Sequence, residues 1–380
     1  MIYLDNNATT KPAAVVVEAM LPYLSESFGN PSSSHTKGFQ VREAISGARE
    51  SVARLLGAAS DEIVFTSGGT ESDNWAILGA LAAEPDKDHI VTTTVEHEAV
   101  RKLCDRLEMK GKRVTRVEVD EGGALDVDAL LAAVDERTCV VSVMMANNET
   151  GVLFPVAEIA EAVKSRSDAL FHVDGVNAAG KVPIDLARTA IDLFSISAHK
   201  FHGPKGVGAL YIRRGARIEP LSVGGGQEGG RRAGTEAVHQ IIGLGASAEL
   251  AADLEPMEKV RRLRRKLEEG LLTAVPDTFL NGQEDETQRL PNTANISFAE
   301  TNGESILARL DAEGICVATG SACNSDTFTA SPVLQAMNIP YSRAMGSIRF
   351  SLGRENTEAE VDEALRVVPR VVAEIRSMSG

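Results

Sequence analysis

Residues 191–206 of the chain read IDLFSISAHKFHGPKG, an apolar run that ends in a short polar segment and a Gly-Pro turn. The apolar run is typical of a buried strand, and Lys200 follows it closely. An isolated lysine beside a turn is usually an exposed surface residue. Here the lysine leaves a strand beside serine and histidine side chains, an arrangement that can hold an aldehyde cofactor on the amine as a Schiff base. The other motifs of the chain decide between these two interpretations.

Outward from this run, short β-rich segments alternate with helical patterns between about residues 60 and 215. The predicted strands are Glu62–Thr66, His89–Thr94, Val114–Val119, Cys139–Met145, Ala169–Asp174, Leu193–Ser197 and Ala209–Ile212, and the helices between them include Thr70–Ala83, Glu96–Lys110 and Val156–Ser165. This alternation predicts an α/β fold in which helices flank a mostly parallel sheet. Ligands of such sheets bind at the carboxyl ends of the strands, where the polar motifs of this chain fall.

The pattern changes near residue 255. Helical spacing predicts helices over Glu236–Asp253, Pro256–Ala274 and Thr357–Arg376, and short apolar runs predict strands over Asn295–Phe298, Ile315–Ala318 and Ser347–Ser351. A chain of 380 residues is long enough for two domains. We therefore expect a large α/β domain over residues 12–254 and a smaller α+β domain formed by residues 1–11 and 255–380.

The composition limits the partners of the chain. Its 54 acidic and 39 basic residues give a formal net charge of −15, which disfavours direct binding to nucleic acid or to an anionic membrane. No apolar run approaches the ~20 residues that cross a bilayer. The first residues carry neither the basic nor the apolar region of a targeting signal, so we expect a cytoplasmic protein.

The four cysteines show no metal-binding or disulfide pattern, and no metal site is expected. Cys104, Cys139 and Cys316 lie in apolar patterns and are expected to be small buried residues. Cys323 lies instead in the small, polar segment GSACNSD, which is typical of a mobile loop. An exposed loop cysteine is a candidate reactive thiol, although many such residues have no role.

Three further motifs follow predicted strands. Gly69 and Thr70 open a helix, where backbone N–H groups can bind an anion, although an ordinary helix start explains the same residues. His97 can stack on a planar cofactor and move protons, or can be a half-exposed histidine at a helix start. Asp174 ends a strand, where a buried carboxylate is costly unless it meets a cation such as a pyridinium nitrogen. All of these residues are expected at the same sheet edge as Lys200.

Together these motifs resemble the pyridoxal-phosphate-dependent cysteine desulfurases of the NifS/IscS-like branch of the class V aminotransferase family. The likeness covers nearly the whole chain: YLDNNATT at 3–10, GNPSS at 29–33, GTES at 69–72, NNETG at 147–151, SAHK at 197–200, RAGT at 232–235, GSAC at 320–323 and IRFSLGR at 348–354. Each motif alone is weak, but their order and spacing are highly specific. The resemblance implies the fold of fold-type I pyridoxal-phosphate transferases.

The resemblance also implies how the cofactor, pyridoxal 5′-phosphate, is held. Lys200 matches the Schiff-base lysine, Asp174 the partner of the pyridine nitrogen and His97 the ring-stacking histidine. The matched phosphate-site residues are Gly69, Thr70, Ser197 and His199, with Thr235 supplied by the second subunit of a homodimer.

Four positions bear on the substrate and on specificity. Asn148 matches a residue near the cofactor oxygen and the substrate, Arg349 the arginine that binds the substrate carboxylate, and Cys323 the nucleophile of the loop. Relatives usually carry Gln three residues after the aspartate, where it donates to the phenolic oxygen of the cofactor. This chain has Asn177, one methylene shorter, so we expect that contact to be longer, water-mediated or absent.

The implied reaction converts L-cysteine to L-alanine and leaves a persulfide on Cys323, with Lys200 removing the α-proton. The sulfur would pass to an iron–sulfur scaffold or another acceptor protein, nitrogenase clusters being one destination. The alternatives are a selenocysteine lyase, another class V aminotransferase and, more remotely, a non-catalytic sulfur-assembly scaffold. A transaminase has no need for the thiol of Cys323, which favours the desulfurase.

Overall fold

A computed structural model describes residues 1–319 and 329–379 of the chain. Its strands are β1 (Ile2–Tyr3), β2 (Ile63–Thr66), β3 (His89–Thr93), β4 (Arg113–Val117), β5 (Thr138–Met144), β6 (Leu170–Asp174), β7 (Leu193–Ser197), β8 (Gly208–Ile212), β9 (Thr278–Leu280), β10 (Thr293–Phe298), β11 (Ile315–Cys316), β12 (Ala318–Thr319) and β13 (Ser347–Ser351). Its α-helices are α1 (Ala14–Met20), α2 (Pro22–Ser25), α3 (Thr36–Leu56), α4 (Gly69–Ala83), α5 (Glu98–Met109), α6 (Val127–Ala133), α7 (Val156–Lys164), α8 (Val238–Ala252), α9 (Glu255–Ala274), α10 (Gly303–Ala312), α11 (Pro332–Ala336), α12 (Tyr341–Ala344) and α13 (Glu358–Ser379).

Strands β2 to β8 form one seven-stranded sheet in the order β2-β8-β7-β6-β5-β3-β4. The pairs among β7, β6, β5, β3 and β4 are parallel, whereas β8 is antiparallel to both of its neighbours. The short connection from Ser197 to Gly208 explains the exception, because a parallel pair would need a longer crossover. The predicted α/β class with a mostly parallel sheet is confirmed.

The predicted strands and helices of this region are present, with ends displaced by at most two residues. Strands β5 and β7 are buried along their whole length, which is typical of parallel strands covered by helices on both faces. Helices α3 and α8 pack against each other and belong to the core of one face, while α4 packs against α5 in the core of the other. Because helices cover both faces of the sheet, we expect a ligand to bind at the edge where the parallel strands end.

A second, antiparallel sheet has the order β12-β13-β10-β9. Its core includes Phe298, Phe350 and side chains of α9 and α13. The predicted single strand Ile315–Ala318 is wrong, because β11 pairs with β1 whereas β12 pairs with β13. Periodicity reports only that both segments are apolar, and the change of partner sheet depends on contacts with the distant β1 and β13. The division into domains at residues 12, 254 and 255 stays a prediction.

The cysteines of the described segments are free thiols. Cys104 and Cys139 are buried as predicted, and burial raises their pKa values to about 12 and about 11. The prediction for Cys316 is wrong, since this residue is only half-buried. Within residues 1–319 and 329–379, no helix combines the length and apolar character that a bilayer crossing requires.

Candidate active site

A cavity of about 290 Å³ lies at the carboxyl ends of β5, β6 and β7. It is lined by Ala8, Gly69, Thr70, Asp73, His97, Met144, Ala146, Asn148, Asp174, Val176, Asn177, Ser197, His199 and Lys200. Every residue predicted to bind the cofactor is among them except Thr235. The parallel strands explain this convergence, because their polar ends meet at one edge of the sheet.

Lys200 is carried into the cavity by a single 3₁₀ turn, Ala198–Lys200, that follows the end of β7. Its Nζ donates to the backbone oxygens of Asn7 and, at 3.2 Å, Ala8. Burial and the positive charge of Arg349 lower the pKa of Lys200 to about 8. About a tenth of the amine is therefore unprotonated at pH 7, far more than for an ordinary lysine, which suits a nucleophile or a base.

Asp174 forms the floor of the cavity at the end of β6. It is 5% exposed, and its Oδ1 accepts a hydrogen bond of 2.9 Å from the backbone N–H of Val176. Burial, together with the nearby Asp73, raises the pKa of Asp174 to about 6. No lysine or arginine of the described residues forms an ion pair with this carboxylate. The floor can therefore accept a cationic group from a ligand.

Two more buried acids lie in this region, and both have strongly raised pKa values. Burial raises the pKa of Asp73 to about 7 and that of Glu96 to about 8. Oδ1 of Asp73 and Oε2 of Glu96 have no hydrogen-bond partner within the described part of the chain. Asp73 Oδ1 is 3.5 Å from Nε2 of His172, whose ring is neutral because burial lowers its pKa to about 4.

The opposite end of the cavity is suited to an anion. Helix α4 begins at Gly69, and no side chain caps it. A Cβ at Gly69 would lie 2.6 Å from a methyl group of Val176, so a side chain here would collide with the opposite wall. Ser197 and His199 line the same cavity, and burial beside Lys200 lowers the pKa of His199 to about 4. The free N–H groups at a helix start can bind phosphate, together with the nearby hydroxyl and neutral imidazole groups. Because none of these groups carries a positive charge, they do not repel a cationic group elsewhere on the same ligand.

The side wall is formed by His97 and two asparagines. His97 caps α5, and its Nδ1 accepts a hydrogen bond of 3.2 Å from the N–H of Ala99, which fixes the ring beside the cavity. The backbone oxygen of Asn148 accepts from Arg349, which links this wall to the second sheet. Asn177 is buried, and its Nδ2 lies 3.4 Å from the backbone oxygen of Asn147.

Arg349 lies on β13 behind this wall and does not itself line the cavity. One guanidinium nitrogen donates to the Asn148 oxygen at 3.0 Å and another to Oδ1 of Asp5 at 2.7 Å. Its Nε is buried and has no partner among the described residues. These two bonds hold the guanidinium between the cavity wall and the N-terminal loop.

Among the described residues that were predicted to bind the cofactor, Thr235 alone is not brought to the cavity. Thr235 is exposed and does not line this cavity. Cys323 lies outside the described residues, so its predicted place on a loop stays a prediction.

The sequence interpretation missed three contributors to the site. The N-terminal loop of residues 5–10 supplies Asp5 to Arg349 and two backbone oxygens to Lys200. Asp73 lies inside the largely apolar and buried helix α4, where the sequence analysis did not single it out. Lys181 donates to Asn177 from four residues further along the chain, a helical spacing that a search for i,i+4 polar pairs would have found.

Known proteins with similar sequences belong to one family. The family model described as Aminotransferase class-V matches residues 2–364. A cysteine desulfurase of Nostoc sp. is 53% identical over 381 residues, covering 100% of this chain and 94% of that protein. Cysteine desulfurase NifS of Azotobacter vinelandii is 51% identical, again covering 100% of this chain and 94% of that protein.

Solved structures extend the likeness to three dimensions. A NifS-like protein superposes with a TM-score of 0.92 at 39% identity, covering 98% of this chain and 99% of that one. A structure described as SspA in complex with cysteine superposes with a TM-score of 0.83 at 33% identity, covering 94% of this chain and 100% of that one. The fold-type I architecture implied by the sequence is thereby confirmed.

Proposed function

The chain belongs to the class-V aminotransferase family, and we propose that it is a cysteine desulfurase that converts L-cysteine to L-alanine and holds the sulfur as a persulfide on Cys323. The observation that carries the proposal is one cavity in which Lys200, with its pKa lowered to about 8, and the uncompensated carboxylate of Asp174 are brought together. Relatives named cysteine desulfurase, at 51–53% identity over the full chain, support the choice of substrate.

Pyridoxal 5′-phosphate fits the residues of the cavity. Asp174 is a buried carboxylate without a cationic partner among the described residues, as a pyridinium nitrogen requires. The uncapped start of α4, with Ser197 and His199, suits the phosphate, and Lys200 supplies the amine for the aldehyde. When bound, this cofactor supplies an electron sink for the charge left on the substrate's α-carbon. We further assign His97 to the ring face, Gly69 and Thr70 to the phosphate, and Asn148 and Asn177 to the polar wall.

Lys200 and Arg349 divide the handling of the substrate. An amine whose pKa is about 8 accepts a proton at neutral pH, so Lys200 Nζ can take the α-proton and later return one. We assign Arg349 to the substrate carboxylate, because a planar guanidinium can bind a carboxylate through two hydrogen bonds. The bond from Arg349 to the oxygen of Asn148 ties this carboxylate site to the cavity wall.

Cys323 is the thiol that we assign to sulfur transfer. Burial leaves Cys104 and Cys139 with pKa values of about 12 and about 11, so neither supplies a thiolate at neutral pH. In the proposed step, the Cys323 thiolate attacks the substrate sulfur, an S–S bond forms and the C–S bond breaks. The electron pair of the broken bond stays with the substrate carbon, which takes up a proton and becomes alanine. A cysteine complex of the relative SspA is in keeping with a cysteine substrate.

The partners of the reaction are also proposals. We infer a homodimer in which Thr235, exposed in the single chain, reaches the phosphate site of the second subunit. The persulfide would pass to an iron–sulfur scaffold or another acceptor protein, including one that feeds nitrogenase clusters. The cytoplasmic location stays a prediction.

The proposal is tested by incubating the purified protein with L-cysteine and a reductant and quantifying alanine and sulfide together. We expect equal amounts of both products. Cys323→Ser should keep the visible absorption of bound cofactor and lose both products, whereas Lys200→Ala should lose the lysine-linked absorption band. Cys316→Ser is the matched control and should retain activity. This half-buried residue lies on β11, which pairs with β1, and it does not line the cavity.

Other outcomes point to the alternatives. Selenide and alanine from selenocysteine, without sulfide from cysteine, would indicate a selenocysteine lyase. Transfer of the amino group to a keto acid would indicate an aminotransferase. A protein that takes up no pyridoxal 5′-phosphate would indicate the non-catalytic scaffold and contradict the assigned cavity.

A further inference from the structure

Lys181 is a buried lysine to which the reaction above gives no role. Its Nζ donates to two oxygens of one residue, the backbone oxygen of Asn177 at 2.8 Å and Oδ1 of Asn177 at 3.0 Å. Burial lowers the pKa of Lys181 well below its usual value, and the charges of Lys200 and Arg349 lower it further. Two N–H groups of the Lys181 amine are thus bound by the two oxygens of Asn177.

A helical turn after Asp174 places the two residues together. The N–H groups of Ala178 and Ala179 both donate to the oxygen of Gly175 at 3.0 Å, so the chain coils directly after β6. Residues 177 and 181 are four apart in this coil and share one face. Gly180, with a φ of +73°, is needed to close it, because a Cβ there would lie 2.9 Å from the side chain of Ala251. The spacing and the turn therefore hold Lys181 against Asn177.

This contact decides which way the Asn177 amide faces. A side-chain amide has an oxygen that accepts and a nitrogen that donates, on opposite branches of the same carbon. Because Oδ1 accepts from Lys181, Nδ2 is turned the other way, where it lies 3.4 Å from the Asn147 oxygen. Asn177 lines the cavity, and the bond to Lys181 holds its amide in this one orientation there. The reversed amide would set its N–H groups against those of Lys181.

We propose that Lys181 is a positioning residue that, by binding the amide oxygen of Asn177, presents the amide N–H groups to the phenolic oxygen of bound pyridoxal 5′-phosphate. The proposal rests on the proposed function, since it requires that the cavity binds this cofactor. A fixed amide keeps one donor direction, whereas an amide free to flip would present its oxygen to the phenolic oxygen part of the time.

The test is the pH midpoint of the visible absorption of the cofactor-loaded protein, compared among wild type, Lys181→Met, Asn177→Ala and the double variant. An N–H donor at the phenolic oxygen favours the deprotonated form of the bound cofactor. Loss of this donor should therefore raise the pH midpoint of the visible absorption by roughly one unit. Lys181→Met should raise the midpoint in the same direction. The double variant should match Asn177→Ala, because Lys181 acts only through the amide. Lys164→Met is the matched control, since Lys164 also donates to a carbonyl and a side-chain oxygen but lies away from the cavity, and its midpoint should not move.

Asn177→Asp provides a second test that does not require Lys181→Met to fold. This change keeps the oxygen that Lys181 binds and removes the N–H groups, so the spectral midpoint should rise while the urea midpoint of the cofactor-free protein is maintained. If Lys181 does not hold the side chain, the new carboxylate is buried without a donor and the urea midpoint falls.

Three results overturn the proposal. The first is a pH midpoint that shifts in Asn177→Ala but not in Lys181→Met, and the second is a pH midpoint that shifts in neither variant. The third is a urea midpoint of Asn177→Asp as low as that of Asn177→Ala. Absence of any visible absorption in the wild-type protein would instead contradict the proposed function.

Discussion

Two clusters of buried charged residues in this molecule are built differently. In the first, between α9 and the segment before β10, Glu268 contacts both Arg264 and Arg289, and Arg264 also pairs with Glu286. In the second, beneath the cavity, Asp73 and Asp174 have no lysine or arginine partner within the described residues. The two arginines and both aspartates are at most 5% exposed, so burial alone does not separate the clusters.

The difference separates structural charge from charge held for a ligand. In the arginine cluster each acid neutralises a cation of the same chain, so the charges are paired without any other molecule. In the cavity floor burial raises the pKa values of the acids instead, which is the response of a carboxyl group that lacks a partner. Removing an acid from the first cluster should therefore damage the fold, whereas removing one from the second should damage the chemistry.

Asp174→Asn is expected to produce the largest effect on activity. The amide keeps an oxygen for the N–H of Val176 but cannot hold a proton on a pyridine nitrogen, so kcat/KM for L-cysteine should fall about 10³-fold. The free energy of unfolding of the cofactor-free protein should stay the same or rise, because the neutral amide avoids the burial of a charge. Steady-state kinetics and urea unfolding measure the two quantities.

Asp192→Asn is the matched control for this change. Asp192 is also a buried aspartate, but it precedes β7 at the opposite edge of the sheet and accepts from Lys164 at 3.0 Å and the N–H of Phe171 at 2.8 Å. Its replacement should cost about 1–3 kcal/mol of stability and leave kcat/KM unchanged. Full activity of Asp174→Asn would remove Asp174 from the chemistry and erase the distinction between the clusters.

Glu268→Ala tests the arginine cluster. Two buried guanidinium groups lose a carboxylate that contacts both, and breaking a buried ion pair from one side costs about 3–5 kcal/mol. Urea unfolding should show this loss, while kcat/KM below the unfolding transition should be maintained. Glu269→Gln on the same helix is the control, because its exposed pair with Arg265 contributes less than about 1 kcal/mol. An equal loss in both variants would show that the cluster has no special stability.

The ends of the strands and the pairing of the strands differ in how well the sequence predicts them. The sheet edge was predictable because each strand is a local apolar run, and the residue that ends it, such as Asp174 or Ser197, is fixed by that run. The antiparallel insertion of β8 was not, since only the pairing of strands decides it. The split of β11 from β12 was missed for the same reason.

Contacts between residues far apart in the chain account for what remained unseen. Asp5 reaches Arg349 across 344 positions, and no periodic pattern links the two. Arg264 and Glu286 likewise meet only because α9 packs beside the later segment. By contrast, Lys181 lies four residues from its partner Asn177, so local spacing could have indicated this contact, although the sequence analysis missed it.

Glu96→Gln is expected to change stability by an amount that depends on pH. Oε1 of Glu96 accepts from Thr93 and from the N–H of Met144, and burial raises the pKa of the carboxyl group from 4.5 to about 8. The folded state therefore keeps the proton between about pH 4.5 and 8 while the unfolded state releases it, so the free energy of unfolding falls as the pH rises through this range. The glutamine amide removes this loss, and at pH 8.5 the variant should be more stable by on the order of 1–3 kcal/mol.

At pH 4 the two proteins should have nearly equal free energies of unfolding, because Glu96 is then protonated in both states. Glu98→Gln gives the opposite sign two residues away: its hydrogen bond to Lys102 lowers the pKa of Glu98, so its contribution is present above its ordinary pKa. That exposed pair should cost only a few tenths of a kcal/mol when lost at neutral pH. A Glu96→Gln protein less stable than wild type at pH 8.5 would mean that the carboxylate has a stabilising partner. The buried acids near the cavity would then be stabilised by partners within the chain, as in the arginine cluster. An acid without a visible partner would no longer indicate a binding site for a cationic group.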